Sequence, residues 1–378
     1  MSGDGEDQDV HAPGLFAGFF MAGFECSTQR RRDGRRLDLL ASTGHDRLAA
    51  RDYRQVAGLG LRTVRDGLRW HLIEARPRHY DWSSFLPMLR AARAAGVEVV
   101  WDLCHYGWPD DVDIWTPAFV DRFAAFAAAA ARVVREETDA VPFYSPVNEI
   151  SYWAWACDQR RFHPLGRGRG GELKRQLVRA TIAAIEAVRG VDPRARFVQV
   201  DPLVHVVGGG YNEAQFEAWD MLTGREDPEL GGAPAYLDVL GVNYYSDNQW
   251  RQGGSTIPLG HHDYKPLSEL LADAHARFGR PILVAETGAE GGGRAPWLHY
   301  VAQESRAALA AGVPVEGICV YPILEYPGWE NERHCATGLL CVPDAEGRRR
   351  IYDPLAEELA RQQAVLAGTL GTRDGTAP

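Results

Sequence analysis

Residues 46–68 read DRLAARDYRQVAGLGLRTVRDGL, and three kinds of segment follow one another in them without slack. Asp46 to Leu59 has the apolar spacing of an amphipathic helix. Gly60, in Leu59-Gly60-Leu61, supplies the left-handed turn that ends such a helix. Arg62 to Leu68 is a short run that reads as a buried strand. The same order returns at Ala95-Gly96-Val97, between a helix over Ser83 to Ala95 and a strand from Glu98 to Leu103.

Outward from there the alternation continues to both ends. Further strands are expected at Ala17 to Phe24, Phe143 to Val147, Arg196 to Val200, Leu237 to Val242, Pro281 to Ala285 and Gly317 to Tyr321. Further helices are expected at Pro117 to Glu137, Glu172 to Arg189, Leu267 to Phe278 and Tyr300 to Ala311. Strands that alternate with helices build a parallel sheet, and eight of them close an α/β barrel of the (β/α)8 type. No Pro/Ser-rich linker divides the 378 residues, so a single barrel over 15–365 is expected, with flexible tails at 1–14 and 366–378.

Composition narrows the function. A formal net charge of −10 argues against nucleic acid or an anionic membrane as partner, since both need clustered basic residues. A small neutral or cationic ligand fits better, and self-association into a homo-oligomer is left open. Met1 to Val10 is polar and acidic, and no apolar run approaches the length of a membrane span, so the chain reads as cytoplasmic. The 6 cysteines include no C-x-x-C pair, which speaks against structural zinc, and no cofactor is indicated.

Catalytic groups of such barrels stand at the C-terminal ends of the strands. There the sequence places Glu25 and Gln29, Arg65 and Arg69, His105 and Trp108, Asn148 and Glu149, Asp201, Asn243 with Tyr244 and Tyr245, Glu286, and Tyr321 with Trp329. Glu149 ends Phe143-Tyr144-Ser145-Pro146-Val147-Asn148-Glu149, and Glu286 ends Ile282-Leu283-Val284-Ala285-Glu286. A carboxylate directly after a buried strand is expensive unless it has a partner or a task. A salt bridge would account for one; two facing one mouth, among aromatic side chains and amides, are the equipment of glycosidic bond hydrolysis.

From Trp115 to Glu149 the chain then resembles glycoside hydrolase family 1, the β-glucosidase family of clan A, and the resemblance extends from about Phe19 to Cys341. It implies a (β/α)8 barrel and a retaining β-glycosidase acting on small glycosides or oligosaccharides, with no metal. Glu149 would be the acid/base and Asn148 the ligand of the sugar 2-hydroxyl. Glu286, in Ala285-Glu286-Thr287-Gly288, would be the nucleophile, with Arg65 and Tyr245 beside it. Gln29, His105 and Asn243 would bind the sugar, and Arg69 would bind substrate or share the task of Arg65.

The eighth strand departs from the family. Tyr321 stands where a tryptophan is usual, and Gly328 precedes Trp329 where the family has a glutamate that grips outer hydroxyls. Glu325, Glu330 and Glu332 are the candidates to replace it. The bond after the strand-eight aromatic is commonly cis in the clan, and Pro322 lowers the cis penalty from several to about 1 kcal/mol, so a cis Tyr321-Pro322 bond is expected. Two rival readings are a barrel that binds a glycan, or serves polysaccharide assembly, without cleaving it, and a metal-dependent sugar enzyme using His261-His262-Asp263.

Overall fold

The computed structural model describes residues 14–371. All eight expected runs are strands: β1 (Phe20–Gly23), β2 (Thr63–Gly67), β3 (Glu98–Cys104), β4 (Phe143–Val147), β5 (Arg196–Pro202), β6 (Val239–Asn243), β7 (Ile282–Thr287) and β8 (Val315–Val320). They pair in parallel, each with its neighbour in sequence, and the barrel closes where Phe20 of β1 lies opposite Ile318 of β8. The fold is a single (β/α)8 barrel.

The helices around it are α1 (His45–Gly58), α2 (Leu86–Ala95), α3 (Pro117–Glu137), α4 (Ile150–Asp158), α5 (Gly170–Arg189), α6 (Glu217–Thr223), α7 (Leu267–Phe278), α8 (Arg294–Ala310) and α9 (Asp353–Gly371). Gly60 and Gly96 take φ of 81° and 67°, the left-handed turn expected of them. The tails expected at 1–14 and 366–378 fall outside the described residues except at two points. The Gly14 amide donates to Glu316 at 3.0 Å, and residues 366–371 continue α9, because Leu366 is buried against the outer core. No helix of the described residues is long and apolar enough to cross a membrane. The Tyr321–Pro322 bond is cis, as is His163–Pro164.

Apolar side chains fill two layers. One lies between barrel and helices; the other fills the barrel itself, with Met21, Val100, Phe143, Val198, Leu283 and Ala285 among its members. Phe16 packs on Phe143 at 4.8 Å between ring centres and completes this inner layer. The packed interior leaves the C-terminal ends of the strands as the place for a site.

A charged network sits in the outer layer. His45, on α1, is fully buried with Nδ1 2.8 Å from Asp52 and Nε2 2.9 Å from Asp66. Both ring nitrogens face carboxylate oxygens, so both carry protons and the ring is an imidazolium. Burial alone would lower its pKa; the Asp66 and Asp52 carboxylates overcome this and raise it to about 9. Arg349 joins Asp52 at 2.8 Å and so ties the segment after β8 to α1. Because the folded pKa lies above the unfolded value, this group's stabilisation is complete below about pH 6.5 and is lost as pH rises through about 9. The loss is on the order of 3 kcal/mol, which urea unfolding of wild type and His45→Leu at pH 6 and pH 10 will show as a shrinking difference between them.

Candidate active site

Arg65 is the hub of the strand ends. It points from β2 into the barrel, 1% exposed, and its guanidinium forks onto Asp102 of β3 at 3.0 and 2.7 Å. Its remaining donors reach Glu286 Oε1 at 2.6 Å and Asn148 Oδ1 at 2.7 Å. The second oxygen of Glu286 accepts from the Tyr245 hydroxyl at 2.9 Å. Glu286 therefore sits between a fixed cation and a phenol.

How Glu286 comes to face the mouth is a matter of register. On β7, Leu283 and Ala285 point into the barrel and Ile282 and Val284 point out to the helices. Strict alternation would send Glu286 outward as well. The pairing shifts between Val242–Val284 and Asn243–Glu286, an irregularity that inserts one residue into β7 and turns Glu286 inward.

Glu149 is placed by strain rather than by register. It precedes α4 with φ 46° and ψ 64°, left-handed for a residue with a side chain. Tyr106, at φ 65°, shares that strain, and its hydroxyl donates to Glu149 Oε2. Asn243 donates to Glu149 Oε1 at 2.8 Å. The first turn of α4 is capped from a neighbouring strand instead, as the Ser151 amide lies 3.1 Å from each oxygen of Asp201. Burial pushes the Asp201 carboxyl up to about 7.

The two glutamates differ in the charges that face them. Burial, and then the charge of Glu286, push the Glu149 carboxyl up to about 8. Burial also raises Glu286, but Arg65 and His105 oppose it. At neutral pH this favours a protonated Glu149 beside an ionised Glu286, the split that acid and nucleophile require. Activity that depends on both falls as pH rises through about 8, with a second fall on the acid side above the ordinary carboxylate range. A pH profile of kcat/KM will show this bell, and Glu149→Gln will remove its alkaline limb.

Two of the expected sugar ligands are also hydrogen-bonded within the protein. The Arg65 contact fixes the Asn148 amide, so its Nδ2 donates to His105 Nε2 at 2.9 Å and to the Tyr106 hydroxyl at 3.1 Å. His105 Nδ1 lies 2.8 Å from Asp102. Asn148 and His105 thus hold the machinery in place. Tyr321 is buried, and its ring lies 5.4 Å from the Arg65 guanidinium. Polar atoms without a partner remain at Gln29 Oε1, Asn243 Oδ1 and Trp329 Nε1. Each is a place where a ligand could complete the hydrogen bonding. Trp329 packs edge-on against Tyr106 at 5.6 Å and beside Tyr152 and Phe162.

Arg69 corrects its expected role. Four residues beyond Arg65, it has left the strand, and its guanidinium binds Asp38 and Asp46, both at 3.2 Å. Both contacts use Nη1; Nε is buried without a partner, and no hydrogen bond links Arg69 to Glu149 or Glu286 among the described residues. Asp102 and Tyr106 were not expected at the site. Asp102 had a signal in the sequence, a carboxylate inside the apolar run of β3; Tyr106 had none, since its position depends on a left-handed turn.

Cys26, Asp102 and His105 approach one another closely, but Asp102 already holds Arg65, and burial keeps the Cys26 thiol protonated. The trio reads as a hydrogen-bonded support. His261, His262 and Asp263 also lie together, with Asp263 ion-paired to Arg251, and share no hydrogen bond with the glutamate pair among the described residues.

No protein-family profile matches the chain, and no curated protein matches its sequence. Solved structures do. A β-glucosidase from Thermotoga maritima in complex with deoxynojirimycin superposes with a TM-score of 0.74 at 13% identity, over 94% of this chain and 99% of that one. The fold is that of the family 1 β-glucosidases. A β-glycosidase from Thermosphaera aggregans gives 0.71 at 16% identity over 85% of each chain. A hyperthermophilic β-glucosidase mutant gives 0.72 at 15%, over 92% of this chain and 100% of that one. The whole barrel is shared with these β-glucosidases, while little of the sequence is.

Proposed function

We propose that the protein is a retaining β-glycosidase that hydrolyses small β-glycosides or oligosaccharides by double displacement. The observation that carries this is the glutamate pair on one mouth, Glu149 held by Tyr106 and Asn243 and Glu286 by Arg65 and Tyr245. Glu286 attacks the anomeric carbon while Glu149 gives its proton to the leaving oxygen. Water, activated by the now ionised Glu149, then displaces the glycosyl group from Glu286. A retaining pair stands roughly 5–5.5 Å apart and an inverting pair about 6.5–9.5 Å.

Arg65 and Tyr245 keep the attacking carboxylate ionised and aimed. Asn243 and Tyr106 orient the acid, and their hydrogen bonds favour its charged form in the second step, when it must act as base. The unpartnered atoms of Gln29, Asn243 and Trp329 would meet sugar hydroxyls. That the solved neighbours are β-glucosidases supports the reading. A barrel that only binds glycans has no need of a second carboxyl aimed at the same mouth by an arginine and a phenol.

A panel of aryl β-glycosides of different sugars, with proton NMR of the first-formed product, tests the proposal. Release of the β-anomer is the expected result. Release of the α-anomer would overturn the mechanism, and sugar binding without turnover would favour the glycan-binding alternative.

A further inference from the structure

Besides Glu149, Glu286 and Asp102, Glu25 brings a further carboxylate to the mouth of the barrel, and it has no established task. Glu25 follows β1 and is 5% exposed. Its Oε1 accepts from the Ser27 amide at 3.0 Å and from the Ser27 hydroxyl, and the Tyr321 hydroxyl lies 3.4 Å away. Its Oε2 accepts no hydrogen bond from the described residues. The basic group in reach is His105, whose Nε2 is 3.9 Å from Oε1. At that distance it is beyond hydrogen-bond reach of Glu25, and it is engaged by the Asn148 amide at 2.9 Å.

The acidic residues after β8 are spent elsewhere. Glu325 pairs with Arg294 at 3.4 Å, Glu330 with Arg161 at 2.5 Å, and Glu332 with Arg31 at 2.9 Å. None of these three contacts Glu149 or Glu286 among the described residues. Glu25 alone of the four has no arginine or lysine partner among the described residues. A buried carboxylate with one oxygen held by donors and the other open is poised to accept hydrogen from something that enters the site.

We infer that Glu25 is a specificity-determining residue, whose open oxygen takes a hydrogen-bond donor on the sugar, either a hydroxyl or an ammonium group. The inference rests on the glycosidase reading above. Both donors satisfy the oxygen; an ammonium group would also offset the surplus negative charge left when Arg65 faces Asp102 and Glu286 together.

The test measures kcat/KM of wild type, Glu25→Gln and Glu25→Ala on the 4-nitrophenyl β-D-glycosides of glucose, galactose, xylose and glucosamine. Circular dichroism confirms that each variant folds. The best substrate is expected to lose about 10- to 100-fold in Glu25→Gln and the poorest less than about threefold, so that the preference flattens. A loss confined to the glucosaminide assigns the ammonium group; a loss shared with a neutral glycoside assigns a hydroxyl. An equal loss on all four, as a merely structural role or an effect through Glu286 would give, overturns the inference, and so does no loss. Failure of the glycosidase reading looks different, since wild type is then inert towards all four. Calorimetric titration with glucose and with glucosamine decides that case. Weakening by tenfold or more of either sugar in Glu25→Gln upholds the inference, and unchanged affinity for both overturns it.

Discussion

Glu286→Gln is expected to lower kcat/KM for an aryl β-glycoside by about 10⁴-fold or more while leaving the fold intact. The amide matches the carboxylate in shape; its single oxygen can keep the Arg65 donor while its NH2 faces the Tyr245 hydroxyl as an acceptor, but an amide does not form the glycosyl ester. The comparison with Glu149→Gln sharpens the assignment. A glycoside with a very acidic leaving group needs no proton donor for the first step, so Glu149→Gln should retain that half-reaction and release a burst of aglycone, whereas Glu286→Gln should release none. A burst from both variants, or from neither, would remove the distinction between acid and nucleophile.

Arg65→Met carries the second large effect, and it falls on stability and activity together. The substitution leaves Asp102 and Glu286 buried without their cation. Breaking such a pair from one side costs about 3–5 kcal/mol. Protonation of Glu286 is the cheapest relief, so the acid limb of the pH profile should move upward and kcat/KM at pH 7 should fall about 10²- to 10³-fold. Arg65→Lys keeps the charge and loses the fork that holds Asp102 and Asn148 at once, and should lie between the two. Denaturant unfolding beside the pH profile separates the effects. An acid limb that stays in place while stability drops would mean that Arg65 holds the barrel and does not tune the nucleophile.

The barrel was legible because its strands are buried on both faces and read as short apolar runs without alternation. Against that background Glu149 and Glu286 stood out as carboxylates, and Arg65 as a cation in a core strand. What could not be read depends on backbone detail. Nothing in Leu283-Val284-Ala285-Glu286 announces the extra residue in β7 that turns Glu286 inward. Nothing marks Tyr106 as left-handed, though that turn delivers its hydroxyl to Glu149. Arg69 was misplaced because nearness to Arg65 in sequence stood in for nearness in space. Once the chain leaves β2, Arg69 meets Asp38 and Asp46. Helix α4 was missed for another reason: its aromatic residues surround the helix and leave no apolar stripe to count.

The seam between β1 and β8 sets the order in which this chain can mature. Phe20 finds Ile318, and Asp52 finds Arg349, only after the long stretch of chain between them exists. During synthesis each finished βα unit packs on the one before it, but β1 waits with an open edge until the last strand emerges. The closing step joins distant parts of the chain, which makes it slow and exposes strand edges to other nascent chains meanwhile. A polypeptide released before Val315 has no β8 to bridge β1 and β7, and is left with two unpaired edges, a shape that invites aggregation. The Arg349 clasp, made last, locks a ring that has only just closed.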